Sequence, residues 1–374
     1  MASVKRRPDG AWRARYRDAG GKEHSRHFAR KVDSQRWLDE VTTAVVTGAY
    51  VDPAAGRATV AAVAASWLEG HPGWSASTRA RNASILTRHV LPRWGAVPVS
   101  KVTFEDVQTW VTELSASGLA GGTVRKVLGV LSSVLVLAVK AKRLATNPTT
   151  GVELPRQRLA RRRYLSARQV ETLTEKAGEQ GDIVLILAYT GLRIGELAAL
   201  RVQHVELLRR RLRIEESVTE VNGLLVRSAP KDHQRRSVPF PPFLADLLAA
   251  RMAGRDSDDP VVASSRGGVL RVRNMRRDWF DAAAVSAGVA GLTPHELRHT
   301  AASLAVSAGA SVLGVQRMLG HDKTSTTLDV YSDLFDADLD AVADRLADTR
   351  SRLLADYLRT DVALKLHEQP VTGR

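Results

Sequence analysis

The sequence predicts a multidomain protein that is mainly α-helical and carries small β-sheets. Its 374 residues exceed the ~100–200 residues of a usual single domain, so two or three folded units are expected. Apolar residues recur at helical spacing from about residue 59 to residue 144, and alternating patterns near the N-terminus and at residues 212–238 indicate strands. We therefore expect domains at residues 1–50, 57–155 and 160–374, the last ending in a helical segment.

The first fifty residues are expected to form a three-stranded sheet backed by a helix. Residues 12–17 alternate, so that Trp12, Ala14 and Tyr16 share one face and three arginines share the other. The first thirty-one residues hold ten Lys or Arg against three acids. A sheet that presents a row of guanidinium groups can meet DNA phosphates or enter the major groove. The arginines predicted to contact DNA here are Arg13, Arg15 and Arg17.

The middle unit is expected to be a bundle of four helices at residues 59–69, 77–94, 103–117 and 122–143. Thr103 and Asp106 resemble a capping box at the start of the third helix. Arg79 and Arg81 are the DNA contacts predicted in this bundle. The following segment, residues 147–164, combines two prolines with a run of arginines and suits an extended linker on a phosphate backbone. The linker residues predicted to contact DNA are Arg161, Arg162 and Arg163.

The third unit is expected to mix helices with a small sheet. Residues 212–238 alternate, and Asn222-Gly223 is a favoured two-residue turn, so this segment is predicted to be a hairpin or a three-stranded sheet. The longest apolar run, residues 183–200, contains Arg193 and Glu196 and falls short of the ~18 uninterrupted apolar residues of a membrane-spanning helix. We interpret it as a buried pair of helices.

The charge of the chain indicates a polyanionic partner. A formal net charge of +15 favours nucleic acid, and a hydrophobic fraction of 44% argues against wholesale disorder. A membrane surface would also attract this charge, but no signal peptide or lipidation motif is found. The chain has no cysteine, which excludes disulfides and thiolate metal sites and fits a reducing cytoplasm. We expect a DNA-binding protein of the cytoplasm and nucleoid, with no membrane partner.

The third unit carries charged and hydroxyl groups where a plain core would carry apolar side chains. Arg193 lies in the segment TGLRIGE, where one apolar helix stops at a glycine and another begins, and Lys231 follows a proline at a predicted strand turn. Further on come the segments TPHELRH at residues 293–299 and LGH, which ends at His321, and then Tyr331. Taken singly, each has an ordinary explanation, such as a helix-end charge or a solvated lysine.

The segment HELRH also matches the zinc-peptidase signature. In that signature, imidazoles like those of His295 and His299 bind zinc one helical turn apart, and a glutamate such as Glu296 acts as a base. A five-residue pattern with two free positions is a weak signal by itself. Arg298 would place a cation beside the metal, and the basic, cysteine-free composition does not suggest a peptidase.

Taken together, these residues resemble the catalytic set of the tyrosine recombinases, the family of phage integrases and chromosome-dimer resolvases. The six residues that match, in the order of the family, are Arg193, Lys231, His295, Arg298, His321 and Tyr331. The resemblance covers about residues 164–353, and one departure is that Tyr331 follows His321 by ten residues where many relatives have nine. Since one residue rotates a helix by ~100°, the intervening loop must absorb the difference.

The rest of the chain is similar to the same family. Residues 59–155 look like its core-binding helical (SAM-like) domain, and residues 1–50 look like the arm-type DNA-binding domain of larger integrases. The catalytic domain would then be mixed α/β. The stretch LDVYSDLF at residues 328–335 is similar to integrases of actinobacterial phages.

The resemblance implies that Tyr331 attacks a DNA phosphodiester and forms a 3′-phosphotyrosine. His295 would assist the attack, Arg193 and Arg298 would grip the phosphate oxygens, His321 would donate to the same phosphate, and Lys231 would protonate the departing 5′ hydroxyl. Preorganised donors of this kind often contribute most to catalysis. A second DNA strand could then reverse the step, so that neither a cofactor such as ATP nor a metal ion would be needed.

The implied function is integration, with excision, of a phage or mobile-element genome by recombination between core-type and arm-type attachment sites. Implied partners are double-stranded DNA, a homotetramer on that DNA, a host DNA-bending factor and an excisionase. Residues 336–364 have a mixed amphipathic pattern that suits docking on a neighbouring subunit or capping of their own domain. Two other functions remain open, a DNA-binding regulator with an inactive catalytic domain and the zinc peptidase.

Overall fold

The chain divides into two compact units, residues 1–160 and 161–374. The computed structural model describes residues 2–17, 21–46, 50, 54–157, 163–230, 235–264, 267–335, 344 and 346–357. Within these ranges the chain is mainly helical and carries three small antiparallel sheets, which is the predicted fold class. The predicted site residues Lys231, Arg161 and Arg162 lie outside the described residues.

The N-terminal sheet has the predicted alternation. Its elements are β1 (Ser3–Arg6), β2 (Trp12–Arg17), β3 (Glu23–Phe28) and α1 (Lys31–Val46). The central strand pairs antiparallel with both neighbours, and Trp12 lies opposite Phe28. Ala14 and Tyr16 are buried, because their face of β2 packs against α1, where Trp37 lies edge-on to Tyr16 at 5.5 Å. The apolar face of this strand is therefore the small core of the sheet.

The middle of the chain is the expected helical bundle. Its helices are α2 (Val60–Glu69), α3 (Ala76–Ile85), α4 (Leu91–Trp94), α5 (Phe104–Ala116) and α6 (Gly121–Lys140). A π-helical turn, Leu86–Val90, connects α3 with α4, so the single helix predicted at residues 77–94 is a continuous run with a wider turn in its middle. Thr59, Ser75 and Thr103 cap their helices by accepting a backbone N–H.

Helix α6 is the core helix of this bundle. Among the described residues it is the one helix that is long and apolar enough to cross a membrane, judged by length and composition alone. Of its most apolar stretch of 18 residues, 44% is buried inside the protein. Its buried residues pack with α2 and α5, and Val124, Leu131 and Leu135 are fully inaccessible. Burial of such side chains stabilises by roughly 1.5–3 kcal/mol each, so packing explains the apolar character of the helix.

The second unit mixes helices and strands as expected. Its helices are α7 (Ala167–Lys176), α8 (Gly181–Thr190), α9 (Ile194–Ala199), α10 (Leu244–Met252), α11 (Val272–Met275), α12 (Asp281–Ser286), α13 (Pro294–Ser307), α14 (Val312–Leu319) and α15 (Thr324–Phe335). The apolar run at residues 183–200 is the predicted buried pair, α8 and α9. Helix α8 packs between α7 and α13, which places its C-terminal end beside α13.

The strands of this unit form two separate ladders. They are β4 (Val205–Glu206), β5 (Arg211–Ile214), β6 (Ser217–Val221), β7 (Leu224–Ser228) and β8 (Arg236–Pro239). Strands β4, β5 and β8 make a three-stranded sheet, and β6 and β7 make a hairpin. The hairpin turns at Asn222 and Gly223, whose φ angles of 50° and 81° suit a two-residue turn. The predicted hairpin is thus present as β6 and β7, while the three-stranded sheet includes β4, which lies before the predicted segment.

Two helices of this unit end at a glycine in the left-handed region. Gly191 follows α8 and Gly320 follows α14, and both have a φ of 66°. A Cβ atom on Gly191 would lie 2.6 Å from a Leu319 side-chain atom, so the two helix ends pack closely. The glycines therefore bring the ends of α8 and α14 together beside α13.

The predicted C-terminal helical segment is described in part. Residues 346–357 are helical, and Leu346, Leu353 and Tyr357 are exposed. Residues 336–343, 345 and 358–364 of the predicted segment lie outside the described ranges.

Candidate active site

A cavity of about 450 Å³ in the second unit gathers five of the six predicted catalytic residues. These five residues are Arg193, His295, Arg298, His321 and Tyr331. They come from three places in the fold: the start of α9, the first turns of α13, and the segment from the end of α14 to α15. His299, Asp322 and Lys323 also line the cavity. Sequence positions as far apart as 193 and 331 thus converge on one polar pocket.

Arg193 is fixed at the N-terminus of α9 by a buried carboxylate. The backbone N–H of Arg193 donates to Glu196 Oε2 at 2.9 Å, and its Nη1 donates to Glu196 Oε1 at 2.9 Å. Because Gly191 turns the chain sharply after α8, Arg193 begins the next helix with its side chain on the cavity wall. The local sequence TGLRIGE therefore builds both the turn and its anchor.

Glu196 holds a second arginine as well. The guanidinium of Arg236 donates bidentately to its two oxygens, at 2.9 and 2.7 Å, and the Glu196 side chain is inaccessible. Burial raises the pKa of this carboxyl, but the bonds and charges of Arg236 and Arg193 outweigh burial and hold the pKa below its ordinary value. Glu196 is therefore an anion inside the protein, paired with two guanidinium groups.

Arg298 is buried at the junction of the two helix ends. Its Nη1 donates to the carbonyl of Gly191 and its Nη2 to the carbonyl of Leu319, both at 2.7 Å. Carbonyl groups at the ends of helices carry partial negative charge and stabilise a cation. Burial and the nearby positive charge of Arg193 lower the pKa of Arg298 to about 10. An anion in the cavity would relieve this repulsion.

Tyr331 lies on α15 with its phenol against an imidazole. The Nδ1 atom of His299 is 2.9 Å from the phenolic oxygen, and the two rings meet edge to face at 5.7 Å. Tyr331 is 1% exposed and packs in a small apolar cluster with Ala302, Val315 and Leu319. The ring is thus held by packing while its hydroxyl contributes to the cavity wall.

The other two imidazoles flank this pair. His295 is exposed and lies edge-on to His299 at 4.9 Å, one turn earlier on α13. His321 is nearly parallel to the Tyr331 ring at 6.3 Å, and its Nδ1 is 2.9 Å from the hydroxyl of Thr327. The loop from His321 to Thr324 brings α15 back so that Thr327 and Tyr331, one turn apart, both face His321.

In the structure, Glu296 and His299 of the HELRH segment have roles that differ from those in a zinc peptidase. Glu296 accepts hydrogen bonds from the backbone N–H and the hydroxyl of Thr293, at 2.7 and 3.0 Å, and so closes a capping box at the start of α13. His299 is directed to Tyr331. Within the part of the chain that the structure describes, no three His, Asp or Glu side chains are grouped as a metal site requires.

The described arginines that are predicted to contact DNA form two groups. Some lie at the surface, and the others are hydrogen-bonded to backbone carbonyls of the protein. Arg13 and Arg15 form weak surface pairs with Glu23 at 3.6 and 3.4 Å, while Arg17 and Arg81 are exposed. Surface ion pairs contribute at most about 1 kcal/mol, so these guanidinium groups can exchange partners readily.

Two of the predicted contacts are hydrogen-bonded within the protein. Arg79 donates to the carbonyls of Leu68 and His71 at the end of α2. Arg163 donates to two carbonyls of the loop at residues 289–290, at 3.1 and 2.9 Å. Their DNA contacts stay predictions, and in the structure both side chains fasten a loop or a helix end.

Two residues that support this site could not be identified from the sequence, and a third was indicated only in a different role. No sequence pattern indicates Arg236, Glu196 stands out only as a charge within an apolar run, and the spacing of His299 indicates only a zinc ligand. A usable signal for His299 was its place one turn after His295, on the same face of a helix. The bond from Arg236 to Glu196 joins residues 40 apart, and no local pattern indicates it.

Comparison with known proteins assigns the chain to a family. The pattern of the phage integrase family matches residues 163–338, and that of the phage integrase central domain matches residues 60–153. Tyrosine recombinase XerC of Mycobacterium tuberculosis is 29% identical over 262 residues, covering 65% of this chain and 83% of that protein. Tyrosine recombinase XerC of Bacillus licheniformis is 27% identical over 242 residues, covering 60% and 75%. The chain therefore belongs to the phage integrase family of tyrosine recombinases.

Solved structures of integrases share the fold. The Tn1549 transposon integrase in complex with transposon right end DNA matches with a TM-score of 0.67 and 19% identity, covering 76% of this chain and 100% of that one. A lambda integrase tetramer bound to a Holliday junction matches with a TM-score of 0.55 and 17% identity, covering 86% and 96%. The likeness extends over both units of the present chain.

Proposed function

We propose that this protein is a site-specific DNA recombinase that integrates and excises a phage or mobile-element genome. The observation that carries the proposal is the position of the Tyr331 hydroxyl in a pocket lined by Arg193 and Arg298, with His299 at hydrogen-bond distance. Cleavage of a phosphodiester requires a nucleophile, cations that stabilise the phosphate oxygens, and a proton for the leaving oxygen. This pocket offers the first two, and Lys231 is proposed for the third.

In the proposed reaction Tyr331 attacks a DNA phosphorus in line with the 5′ oxygen. The bond from the phenolic oxygen to phosphorus forms, the bond from phosphorus to the 5′ oxygen breaks, and a 3′-phosphotyrosine results. The phenolic proton passes to His299, whose Nδ1 already lies 2.9 Å away. The 5′ oxygen takes a proton from Lys231 and leaves as a hydroxyl. Attack by the 5′ hydroxyl of another strand reverses each of these transfers.

The two arginines are proposed to stabilise the phosphorane-like transition state. A guanidinium presents a planar fork that matches two phosphate oxygens, and it stays charged at the pH of the cell. Arg298 already uses two donors on the carbonyls of Gly191 and Leu319, so its remaining N–H groups are the ones proposed to contact phosphate. His321, oriented by Thr327, is proposed to donate to the same phosphate, and His295 to assist at the exposed edge of the pocket.

The proposed DNA contacts follow the domain division predicted from the sequence. Residues 57–155 and 160–374 would bind the core-type site, and residues 1–50 would bind arm-type DNA through the arginine face of β2. The reported lambda integrase tetramer on a Holliday junction and the DNA-bound Tn1549 integrase support a homotetramer on DNA. A host DNA-bending factor, an excisionase and a location in the host cytoplasm and nucleoid belong to the same proposal.

Relaxation of supercoiled plasmid in EDTA tests the proposed chemistry without knowledge of the attachment site. The cycle of cleavage and rejoining needs no metal or nucleotide, so wild-type protein is expected to relax the plasmid in EDTA. Tyr331→Phe serves as the matched control, since it removes one oxygen and keeps the ring. Relaxation by both proteins, or by neither, would count against Tyr331 as a DNA nucleophile.

A further inference from the structure

Arg236 is the first residue of β8 and follows Lys231 by five positions in the sequence. Its side chain is 9% exposed, and both terminal nitrogens are used on Glu196, at 2.9 and 2.7 Å. The Nε atom is buried and finds no partner among the described residues. Arg236 is not among the described residues that line the catalytic cavity. Both terminal nitrogens of Arg236 are therefore bound to Glu196, and the side chain lies outside the cavity in which a phosphate would bind.

The Glu196 carboxylate passes this contact on to Arg193. The oxygen that accepts from Arg236 Nη1 also accepts from Arg193 Nη1, and the other oxygen accepts from Arg236 Nη2 and from the backbone N–H of Arg193. Without Arg236, the Glu196 carboxylate would form an ion pair with Arg193 alone. A carboxylate that pairs only with Arg193 would draw that guanidinium away from a DNA phosphate. Because Glu196 is shared between two cations, Arg193 is anchored by a carboxylate whose charge Arg236 partly neutralises.

The other side of the Arg236 guanidinium supports the backbone before His321. A Cβ atom added to Gly320 would lie 2.6 Å from Cδ, 2.8 Å from Nε and 3.0 Å from Cζ of Arg236. The Cα of Gly320 therefore rests directly on this side chain, and only a glycine allows that approach. The positive charge of Arg236 also contributes to the lowered pKa of Arg298, so it lies close to the second phosphate-binding arginine. One side chain thus contacts the supports of two members of the site, Arg193 and His321, and its charge acts on a third, Arg298.

We infer that Arg236 is a positioning residue of the recombinase reaction: it sets Arg193 through Glu196 and His321 through Gly320, and does not touch the DNA. The inference rests on the function proposed above. Its consequence is that loss of the Arg236 fork slows the chemical step and leaves DNA affinity in place. A purely structural role would instead lower stability, binding and cleavage together.

The test compares Arg236→Lys with Arg251→Lys. Arg251 is a matched control, because it also donates through two nitrogens to one carboxylate, that of Asp182, at 15% exposure, and it lies outside the catalytic cavity. For each variant we would measure the melting temperature, the affinity for a nicked core-site duplex by gel shift, and the single-turnover rate of phosphotyrosine formation.

We expect Arg236→Lys to cleave roughly 100-fold more slowly, the size of effect seen when one preorganised donor is lost, with the affinity changed less than about twofold. Arg251→Lys is expected to keep the wild-type cleavage rate below its melting temperature. Gly320→Ala, which pushes on Arg236 from the other side, is expected to reproduce the Arg236→Lys pattern. Equal losses of rate in the lysine variants of Arg236 and Arg251, or a parallel loss of affinity and rate, would overturn the inference.

A second substrate distinguishes a role of Arg236 in the attack on phosphorus from an effect on Lys231, the residue proposed to protonate the leaving oxygen. In a duplex whose leaving 5′ oxygen is replaced by sulfur, the leaving group needs no proton. If Arg236 acts through Arg193 and His321, its lysine variant stays slow on this substrate. Full rescue by sulfur would show that Arg236 acts through Lys231 instead and would overturn the inference. Failure of the wild-type protein to cleave either duplex would refute the proposed function itself, and is thereby distinguished from failure at Arg236.

Discussion

The Nδ1 atom of His299 lies 2.9 Å from the phenolic oxygen of Tyr331. A phenol is a poor nucleophile until a base removes its proton, and a candidate base must first be within hydrogen-bond reach. The family resemblance assigns assistance to His295, one helical turn earlier. The geometry places His299 at hydrogen-bond distance from the phenol, and His299 is half-buried while His295 is exposed.

Replacing His299 tests whether it accepts the phenolic proton. We expect His299→Gln to slow phosphotyrosine formation by a factor of about 100 to 10,000, the usual contribution of a positioned base. The deficit should shrink as the pH rises, because hydroxide can then take the proton. His295→Gln is the control on the same helix face, and single-turnover rates at several pH values are the measurement. A large effect of His295→Gln beside a near-normal His299→Gln would return the role to His295.

Arg298→Lys tests the junction of the helix ends. The guanidinium of Arg298 donates to the carbonyls of Gly191 and Leu319 through two separate nitrogens, whereas a lysine offers a single nitrogen. We expect the free energy of unfolding to fall by roughly 1–3 kcal/mol, the penalty for a buried polar group that loses its partner. The cleavage rate should fall as well. Urea unfolding and cleavage of a nicked duplex would be measured on the same preparation, and an unchanged unfolding free energy would contradict this view of Arg298.

The acid stability of the second unit is expected to depend on Glu196. Its pKa in the folded protein lies below the ordinary 4.5, so its stabilising contribution is complete above that pH and is lost as the pH falls through the folded-state value. Glu196→Gln should therefore be most destabilising near neutral pH, and its difference from wild type should shrink in acid. Urea unfolding at pH 3 to 7 measures this, and a difference that stays constant would contradict the ion-pair description.

Arg298 is expected to leave the free energy of unfolding independent of pH over the same range. Its folded-state pKa of about 10 lies below the ordinary value for an arginine, so folded and unfolded chains hold the same proton until the pH approaches 10. Above that value the unfolded chain binds more protons, and the contribution of Arg298 to stability rises with pH. Near neutrality the penalty for burying its charge is thus constant.

The local features of the fold could be predicted from the sequence because they depend on neighbouring residues. Alternation in residues 12–17 predicts the buried face of β2, and Asn222-Gly223 predicts the hairpin turn. The break at Gly191 predicts the start of a helix at Arg193. Each of these features is decided by backbone preference or by periodicity within a few residues.

The partners within the site could not be predicted in the same way. His299 meets Tyr331 across 32 positions, and Arg236 meets Glu196 across 40. These contacts exist because α8, α13 and α14 pack with their ends together, and that packing is decided by the whole core. The sequence pattern alone supplied the catalytic residues as a list in order, through the family resemblance, without their hydrogen bonds.

Deletion of residues 1–50 tests the proposed arm-binding role of the N-terminal sheet. We expect the shortened protein to bind a core-site duplex as wild type does and to lose a second, separate DNA affinity. The reason is that the exposed arginines of β2 belong to a sheet with its own small core around Tyr16. Footprinting of DNA flanking the gene is the measurement. An identical footprint before and after the deletion would contradict an arm-type domain.

Covalent trapping tests the central claim, that Tyr331 joins the protein to DNA. The protein would be mixed in EDTA with nicked duplexes from the DNA that flanks its gene and resolved on a denaturing gel. We predict a 3′-phosphotyrosine adduct with wild type and none with Tyr331→Phe, which should still bind the same DNA because its ring packing is kept. An adduct that persists in Tyr331→Phe, or peptide cleavage that zinc restores after EDTA, would contradict the claim.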